Sequence, residues 1–201
     1  MTNTDLMRAV KASCGQGITE ASDTTRLPPA FLAALIAGES GGNNEAKRFE
    51  PGVLHALWEV LLGRKAAYGS ISRADLVAYV SALEPNAPAR SLATLPADAF
   101  QRVDGLATSW GLTQIMGYHV LERPLGPMKL EVLKQPTLHL AFAVRLLMSF
   151  AAEFRLDLAK DFEQLFRCWN TGQPDGKTFD SDYVENGLAR MTIYGNLATE
   201  V

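Results

Sequence analysis

The amino-acid sequence predicts a mainly α-helical protein with a single principal domain. Its 201 residues are enough for a core that buries roughly 70% of the unfolded surface. The contents of hydrophobic residues (47%) and charged residues (20%) are typical of a globular chain. Apolar residues recur at three- and four-residue spacing between short polar loops, whereas the alternating runs that indicate strands are scarce.

Three helices are expected in the N-terminal half of the chain. Pro29 suits a first helical turn, and residues 30–37 are apolar almost all round, which predicts a central, buried helix. A second helix is expected to begin at Pro51 and to end before one of the next glycines. Ser72, followed three residues later by Asp75, has the spacing of a helix-capping pair and predicts a third helix.

Three more helices are expected in the C-terminal half. The longest apolar stripe follows Pro136 and extends towards Phe154, which predicts a core helix. Two further helices are expected at about 161–169 and 182–194, separated by a turn-rich segment. Residues 84–96 are rich in proline, alanine and serine and indicate a surface loop. A small β-hairpin is compatible with the remaining segments.

Charge and segment composition limit the classes of partner. A formal net charge of −3 gives no basic surface of the kind that nucleic-acid binding requires. The N-terminus lacks the basic and apolar regions of a secretory signal, and no apolar run reaches the roughly 18 residues of a membrane span. We therefore expect no nucleic-acid partner and no membrane-spanning segment, and we expect a monomer.

The cysteines and histidines lack the spacing of metal ligands. Cys14 and Cys168 form no C-x-x-C pattern, so we expect two free thiols, with Cys168 buried and Cys14 in a loop. His55, His119 and His139 are far apart and show no H-x-x-x-H spacing. The sequence therefore indicates neither a metal nor a cofactor.

A carboxyl group at the end of the first apolar helix is the sharpest chemical feature. Glu39 follows the apolar run and precedes Ser40 and two glycines. Partly dry surroundings and the C-terminal end of a helix dipole both raise a carboxyl pKa, so we expect Glu39 to hold a proton near neutral pH. Cleavage of a glycosidic bond needs such an acid. On spacing alone, however, a solvated glutamate beside a glycine cap is the better interpretation.

Three separated segments together resemble the lytic transglycosylase and goose-type lysozyme superfamily. Glu39 and Ser40 match the catalytic Glu-Ser of that family. Residues 109–117, Ser-Trp-Gly-Leu-Thr-Gln-Ile-Met-Gly, are similar to its Gly-Leu-Met-Gln-Ile-Met segment, with Thr113 in place of the usual methionine. Residues 168–172, Cys-Trp-Asn-Thr-Gly, are similar to its Ala-Tyr-Asn-Ala-Gly segment.

Two further segments extend this resemblance over most of the chain. Residues 183–186 are similar to the family's later tyrosine-containing segment, and residues 48–51 resemble the Phe-Glu-Pro segment of some muramidase-like members. The resemblance implies a lysozyme-like catalytic domain with a substrate groove at residues 27–195. Residues 1–26 would then be an N-terminal extension, and residues 196–201 a C-terminal tail.

The resemblance also implies a set of site residues, with Glu39 as the acid and Glu50 as a second candidate catalytic residue. The residues expected to bind substrate are Ser40, Gly111, Gln114, Ile115, Met116, Trp169, Asn170 and Tyr183. Gly111 would let the backbone approach a saccharide, and the amide of Gln114 would bind sugar hydroxyl or acetamide groups. Each position also has a purely structural interpretation as a helix end, a turn or a packed side chain.

The remaining expected roles surround the acid. Tyr183 would hydrogen-bond Glu39, Asn170 would lie near the scissile sugar, and Trp169 would buttress the site. Trp110 and Tyr118 are candidate sugar-stacking platforms, although single aromatics more often belong to the core.

The expected reaction is cleavage of the β-1,4 bond between N-acetylmuramic acid and N-acetylglucosamine in peptidoglycan. A lytic transglycosylase needs one carboxyl group as acid and then base, and leaves a 1,6-anhydro end. A hydrolytic muramidase, such as a lysozyme or endolysin, needs a second carboxylate, for which Glu50 and Asp104 are candidates. Glu50 also fits a purely structural role as a cap of the helix that begins at Pro51, which we favour.

Two alternatives from other classes remain. The chain could be a non-catalytic wall-binding protein or a phage tail component, although it retains the expected site residues. A serine hydrolase is disfavoured because Ser40 lacks the G-x-S-x-G pattern. For a wall-active protein we expect action in the periplasm or outside the cell, after delivery by phage lysis, a phage tail or a specialised secretion system.

Overall fold

The computed structural model describes residues 2–82, 103–122 and 129–198, and these are mainly α-helical, as expected. The surface loop expected at residues 84–96 lies outside the described residues. The chain divides into two compact units. The first comprises Met1–Ala46, Gly111–Gln114 and Val132–Val201, and the second comprises Lys47–Trp110 and Ile115–Glu131.

Seven α-helices and five short strands occur in the described residues. The helices are α1 (Asn3–Ser22), α2 (Pro29–Glu39), α3 (Pro51–Leu61), α4 (Arg73–Ala82), α5 (Pro136–Phe154), α6 (Phe162–Thr171) and α7 (Tyr183–Ala198). The strands are β1 (Lys47–Phe49), β2 (Ala67–Tyr68), β3 (Ile71–Ser72), β4 (Thr108–Trp110) and β5 (Ile115–Met116). Two 3₁₀ helices cover Gly117–Val120 and Leu130–Lys134.

Helix α2 is the centre of the first unit. Its residues 31–37 are all buried, as their continuous apolar character predicts, and α2 packs against α1 and α7. The expected starts at Pro51 and Pro136 are confirmed for α3 and α5. Ser72 and Asp75 form the expected capping pair of α4, in which the Ser72 hydroxyl donates to the Asp75 carboxylate (2.6 Å).

Helix α1 corrects the expectation of a loop around Cys14. Residues 3–22 are one continuous helix, capped by reciprocal hydrogen bonds between Thr2 and Asp5. A Cβ atom at Gly17 would lie 3.3 Å from the Leu140 side chain, so the glycine permits close packing of α1 against α5. The segment expected as an N-terminal extension therefore carries a helix packed into the first unit. Both cysteines are free thiols, as expected.

Helix α5 covers the residues expected from the sequence, but it is more apolar than expected. It has 19 residues and a mean hydropathy of 1.3, so by length and composition alone it could cross a membrane. From the sequence, a core helix was expected here and no segment apolar enough to span a membrane. Eight of its residues are buried, among them Leu140, Phe142 and Leu147, and the helix packs against α1 and α6. These contacts are those of a core helix of the first unit.

The second unit combines α3 and α4 with two small antiparallel sheets. Strands β1, β4 and β5 form a three-stranded sheet in which Lys47 pairs with Trp110, and Trp110 with Ile115. Strands β2 and β3 form a two-stranded hairpin. The residues that connect β4 to β5, 111–114, belong to the first unit.

Candidate active site

Glu39 is the last residue of α2 and is partly buried. Its Oε1 atom accepts a hydrogen bond from the Tyr183 hydroxyl at 2.5 Å. Tyr183 is the first residue of α7, so the packing of α2 against α7 brings the two side chains together. The expected contact between Glu39 and Tyr183 is therefore present.

The Tyr183 ring rests on an aromatic cluster in the first unit. It meets the Phe166 ring edge to face, with centroids 6.1 Å apart, and Phe166 stacks on Phe31 of α2 at 4.3 Å. Burial and the adjacent charge of Glu39 raise the pKa of the Tyr183 hydroxyl. The hydroxyl therefore keeps its proton and acts as a hydrogen-bond donor to Glu39.

Arg190 is a neighbour of this pair that the sequence analysis missed. Its guanidinium lies beside Gly38, where a Cβ atom would be only 3.3 Å from Nη1. Its Nε donates to Asn3 Oδ1 in α1 (3.2 Å). The positive charge of Arg190 partly opposes the rise in the pKa of Tyr183. The signal that could have identified it is its position seven residues after Tyr183, on the same face of a helix.

Ser40 connects the end of α2 to residues 111–114, which we call the 111–114 loop. Its hydroxyl donates to the Leu112 carbonyl at 2.7 Å and accepts from the Gly42 amide at 3.2 Å. Gly42 has a φ of 90°, a left-handed conformation that favours glycine. The serine after the acid is therefore a structural link in this protein, although it was expected to bind substrate.

The 111–114 loop is closed by its own amides and by Ala46. The Gly111 amide donates to the Ala46 carbonyl at 2.8 Å. The side-chain nitrogen of Gln114 donates to Ala46 (3.1 Å) and to the Gly111 carbonyl (2.9 Å). These bonds hold Gln114 in a left-handed conformation, with a φ of 52°. The side-chain N–H group of Gln114 was expected to bind a sugar. In the structure it donates within the loop instead.

Gly111 is required by packing against His139. Its φ is 69°, and a Cβ atom there would lie 2.8 Å from His139 Nδ1 and 3.0 Å from the Leu133 carbonyl oxygen. The close approach at this glycine is therefore to protein atoms, whereas the sequence analysis expected an approach to a saccharide.

His139 and Thr113 form a buried polar pair beneath the loop. His139 Nδ1 donates to the Leu133 carbonyl at 3.0 Å, and Nε2 accepts from the Thr113 amide (3.1 Å) and hydroxyl (2.8 Å). Burial lowers the pKa of His139 to about 4, so the ring is neutral. Thr113 therefore has a structural role here, because its hydroxyl and amide both bind the buried His139 ring.

Trp169 supports the same loop from α6. Its indole N–H donates to the Thr113 carbonyl at 3.0 Å, which fits the expected buttressing role. Asn170, the next residue, is exposed, and its carboxamide has no hydrogen-bond partner among the described residues. Asn170 is thus the expected site residue whose polar atoms remain available to a ligand.

Several expected residues belong to the second unit. The Ile115 side chain is only 1% exposed, so the expectation that it contacts substrate does not fit its burial. Met116 is partly buried and pairs with Ser109. The Trp110 indole donates to the Gly105 carbonyl at 2.9 Å, and the Tyr118 ring packs edge to face on Tyr68 at 5.2 Å.

Glu50 and Asp104, the candidates for a second carboxylate, are also in the second unit. Glu50 precedes α3 but makes no side-chain capping bond, so the expected capping role is not realised through its carboxylate. The carboxylate is instead paired with Arg48 Nε at 2.6 Å. Asp104 is exposed, and its backbone carbonyl accepts from the Thr108 hydroxyl at 2.8 Å.

No group of three or more potential metal-ligating side chains occurs within residues 2–82, 103–122 and 129–198. Comparison with known proteins finds no matching family model, no matching curated protein and no matching solved structure.

Proposed function

We propose that this protein cleaves the glycan strands of peptidoglycan as a lytic transglycosylase, with Glu39 as its acid and base. The observation that carries the proposal is the hydrogen bond between the Tyr183 hydroxyl and Glu39 at the end of a buried helix. Two further bonds, from Ser40 to Leu112 and from Trp169 to Thr113, join the three resembling segments around it. The proposal includes a lysozyme-like fold with a substrate groove.

The position of the transferable proton follows from the direction of the hydrogen bond between Tyr183 and Glu39. Because the tyrosine donates to Oε1, the transferable proton of Glu39 belongs on Oε2. Glu39 passes this proton to the glycosidic oxygen as the bond to the muramic acid carbon breaks and positive charge develops on the sugar. The N-acetylglucosamine side departs as an alcohol, and Glu39 is left as a carboxylate.

The second step regenerates the acid. The 6-hydroxyl of the muramoyl sugar attacks its own anomeric carbon, and Glu39 takes up the hydroxyl proton. The product is a 1,6-anhydro ring, and no water is consumed. This route needs one carboxylate, which fits the engagement of the Glu50 carboxylate with Arg48. Hydrolysis, with Glu50 or Asp104 as the second carboxylate, is the alternative reaction.

The proposal is tested by the variant Glu39→Gln on purified peptidoglycan. Glutamine can still accept the Tyr183 bond but cannot donate an acidic proton, so we expect turnover to fall at least about a thousandfold. The thermal unfolding transition should be unchanged. Glu153→Gln, at an exposed position of α5, is the matched control and should retain full activity.

Mass spectrometry of the digest distinguishes the two reactions. Anhydro ends are expected, whereas reducing ends would replace the transglycosylase assignment with a hydrolytic one. Lysis by Glu39→Gln near the wild-type rate would overturn the proposed role of this residue. Binding of peptidoglycan by the wild-type protein without any cleavage would make it a wall-binding protein instead.

A further inference from the structure

Phe179 is exposed to an unusual degree for an aromatic residue. Its relative exposure is 104%, whereas the other exposed large hydrophobic residues, Phe49, Leu62, Leu138 and Met148, lie between 43% and 47%. An apolar ring fully in water forgoes the stabilisation that burial would give. A side chain in this state is available to bind a ligand.

The segment that carries Phe179 is fixed by local hydrogen bonds. It connects α6 to α7. On one side, Arg167 donates to the Gly176 carbonyl at 3.2 Å, and a Cβ atom at Gly176 would overlap the Thr171 side chain. A second bond spans Phe179, because the buried Thr178 hydroxyl donates to the Asp180 carbonyl at 2.7 Å. The backbone on both sides of Phe179 is therefore held in place while the ring projects into solvent.

This segment leads directly into the acid site. The Tyr183 amide donates to the Asp180 carbonyl at 3.3 Å, which closes the turn before α7. Phe179 is four residues before Tyr183, a span of at most about 14 Å of extended chain. The ring is therefore attached to the same helix start that presents the Tyr183 hydroxyl to Glu39.

We propose that Phe179 is a stacking platform for one N-acetylhexosamine ring of a glycan strand bound at the Glu39 site, an inference that rests on the proposed function. The face of an aromatic ring is negative and attracts the partly positive C–H groups on the apolar face of a pyranose. The exposed carboxylates of Asp180 and Asp182 lie beside it in the chain and can accept hydrogen bonds from sugar hydroxyls.

The surroundings of Phe179 favour a sugar over a macromolecular surface. An isolated aromatic ring supplies far less than the roughly 1,000 Å² of a specific protein interface. Asp175, Asp180 and Asp182 give the segment negative charge, which opposes contact with an anionic membrane. A single pyranose matches both the size of the ring and the hydrogen-bonding groups next to it.

The first test is steady-state cleavage of soluble peptidoglycan strands by Phe179→Ala. We expect KM to rise about threefold to tenfold while kcat changes less than about twofold, because the ring binds a sugar away from the scissile bond. The separate variant Phe179→Trp should keep a KM close to the wild-type value, since tryptophan also has an aromatic face. Met148→Ala is the matched control: this residue is 45% exposed and lies in a surface groove of about 590 Å³ that does not include Glu39 or Tyr183.

The second test measures binding without cleavage. Calorimetric titration of Glu39→Gln with the tetramer of N-acetylglucosamine should give an affinity that falls about threefold to tenfold when Phe179→Ala is added. An unchanged KM and affinity would overturn the role of Phe179 and leave the proposed function intact. If the wild-type protein cleaves nothing but loses tetramer affinity on Phe179→Ala, the proposed reaction fails and the stacking role stands. If it neither cleaves nor binds glycan, both fail.

Discussion

At the scale of single residues, the Tyr183 hydroxyl donates to Oε1 of Glu39, which in the proposed reaction leaves Oε2 as the proton donor. Tyr183 is itself fixed by the Phe166 ring and by its position at the start of α7. An acid held in one rotamer loses little entropy when the glycosidic oxygen arrives, which is the advantage of a preorganised site.

The variant Tyr183→Phe isolates this contribution. The ring and its packing remain, but the hydrogen bond from Tyr183 to Oε1 is lost, so Glu39 is held less firmly in its orientation. We expect kcat to fall about tenfold to a hundredfold, with less than about 2 kcal/mol lost from the free energy of unfolding. Turnover and denaturant titrations measure the two quantities separately.

Two comparisons make this prediction decisive. Tyr194→Phe removes a hydroxyl from a buried tyrosine of the same helix and should leave kcat unchanged. Adding Tyr183→Phe to Glu39→Gln should cause no further loss of activity, because the tyrosine acts through the acid. An additive loss in the double variant would show that Tyr183 contributes independently of Glu39.

The residues of the site differ in how far the sequence could predict them. The hydrogen bond between Tyr183 and Glu39 and the supporting position of Trp169 were predicted because these residues occur in recognisable segments, and both contacts are present. Thr113 was noticed as a departure from the family pattern, but its partner His139 is 26 positions away and carries no spacing signal. A hydrogen bond of that kind depends on tertiary packing that no local pattern records.

At the scale of elements, α7 shows how a glycine can serve packing. A Cβ atom at Gly187 would lie 2.7–2.9 Å from three atoms of the Phe166 ring, closer than such atoms approach in folded proteins. At Gly195, eight residues further along the same helix, nothing lies within 4 Å of that position. Helix α7 therefore has no room for a side chain at Gly187 but has room for one at Gly195.

The same substitution is therefore expected to have opposite effects at these positions. Gly187→Ala should lower the free energy of unfolding by about 1–3 kcal/mol, because the methyl group displaces Phe166. Gly195→Ala should raise it by about 0.5–1 kcal/mol through the better helix propensity of alanine. Chemical denaturation of both variants provides the measurement, and equal shifts of one sign would refute the packing argument. Gly187→Ala should also lower activity, since Phe166 supports Tyr183.

Prediction of the elements succeeded where one local signal dominated. The apolar run, the prolines and the Ser72–Asp75 pair predicted four of the helices, α2 to α5, close to their observed bounds. Helix α1 was missed around Cys14 because Gly15 and Gly17 disfavour a helix locally, and the contact of Gly17 with Leu140 depends on tertiary packing. The strands have two or three residues each, too few to show a period.

At the scale of the whole molecule, His139 makes the stability of the fold depend on pH. The pKa of His139 is about 4 in the folded protein, whereas the ordinary value for a histidine side chain is 6.5. As the pH falls below 6.5, His139 binds a proton in the unfolded chain but not in the folded protein. The free energy of unfolding should therefore fall between pH 6.5 and pH 4, by about 3 kcal/mol in total, and this contribution should be constant outside that window.

Denaturant titrations across this pH range test the prediction. His139→Gln removes the titrating ring. The slope of the free energy of unfolding against pH should then decrease by the equivalent of about one proton, whatever the effect of the substitution on absolute stability. His55→Gln, at an exposed position, is the control and should leave the slope as in the wild type. In nitrogen NMR spectra, the His139 ring should carry its proton on Nδ1 at neutral pH. A ring protonated on both nitrogens at pH 6 would contradict the buried, neutral arrangement.

The separation of Glu39 from its tyrosine also has a consequence during protein synthesis. Tyr183 leaves the ribosome 144 residues after Glu39, which at 5–20 residues per second is a delay of roughly 7 to 30 s. Throughout that interval the apolar helix α2 lacks the cover of α7, and α1 is the neighbour that has already been translated. The N-terminal helix is therefore the first helix able to cover the apolar surface of α2, before the tyrosine that donates to Glu39 has been translated.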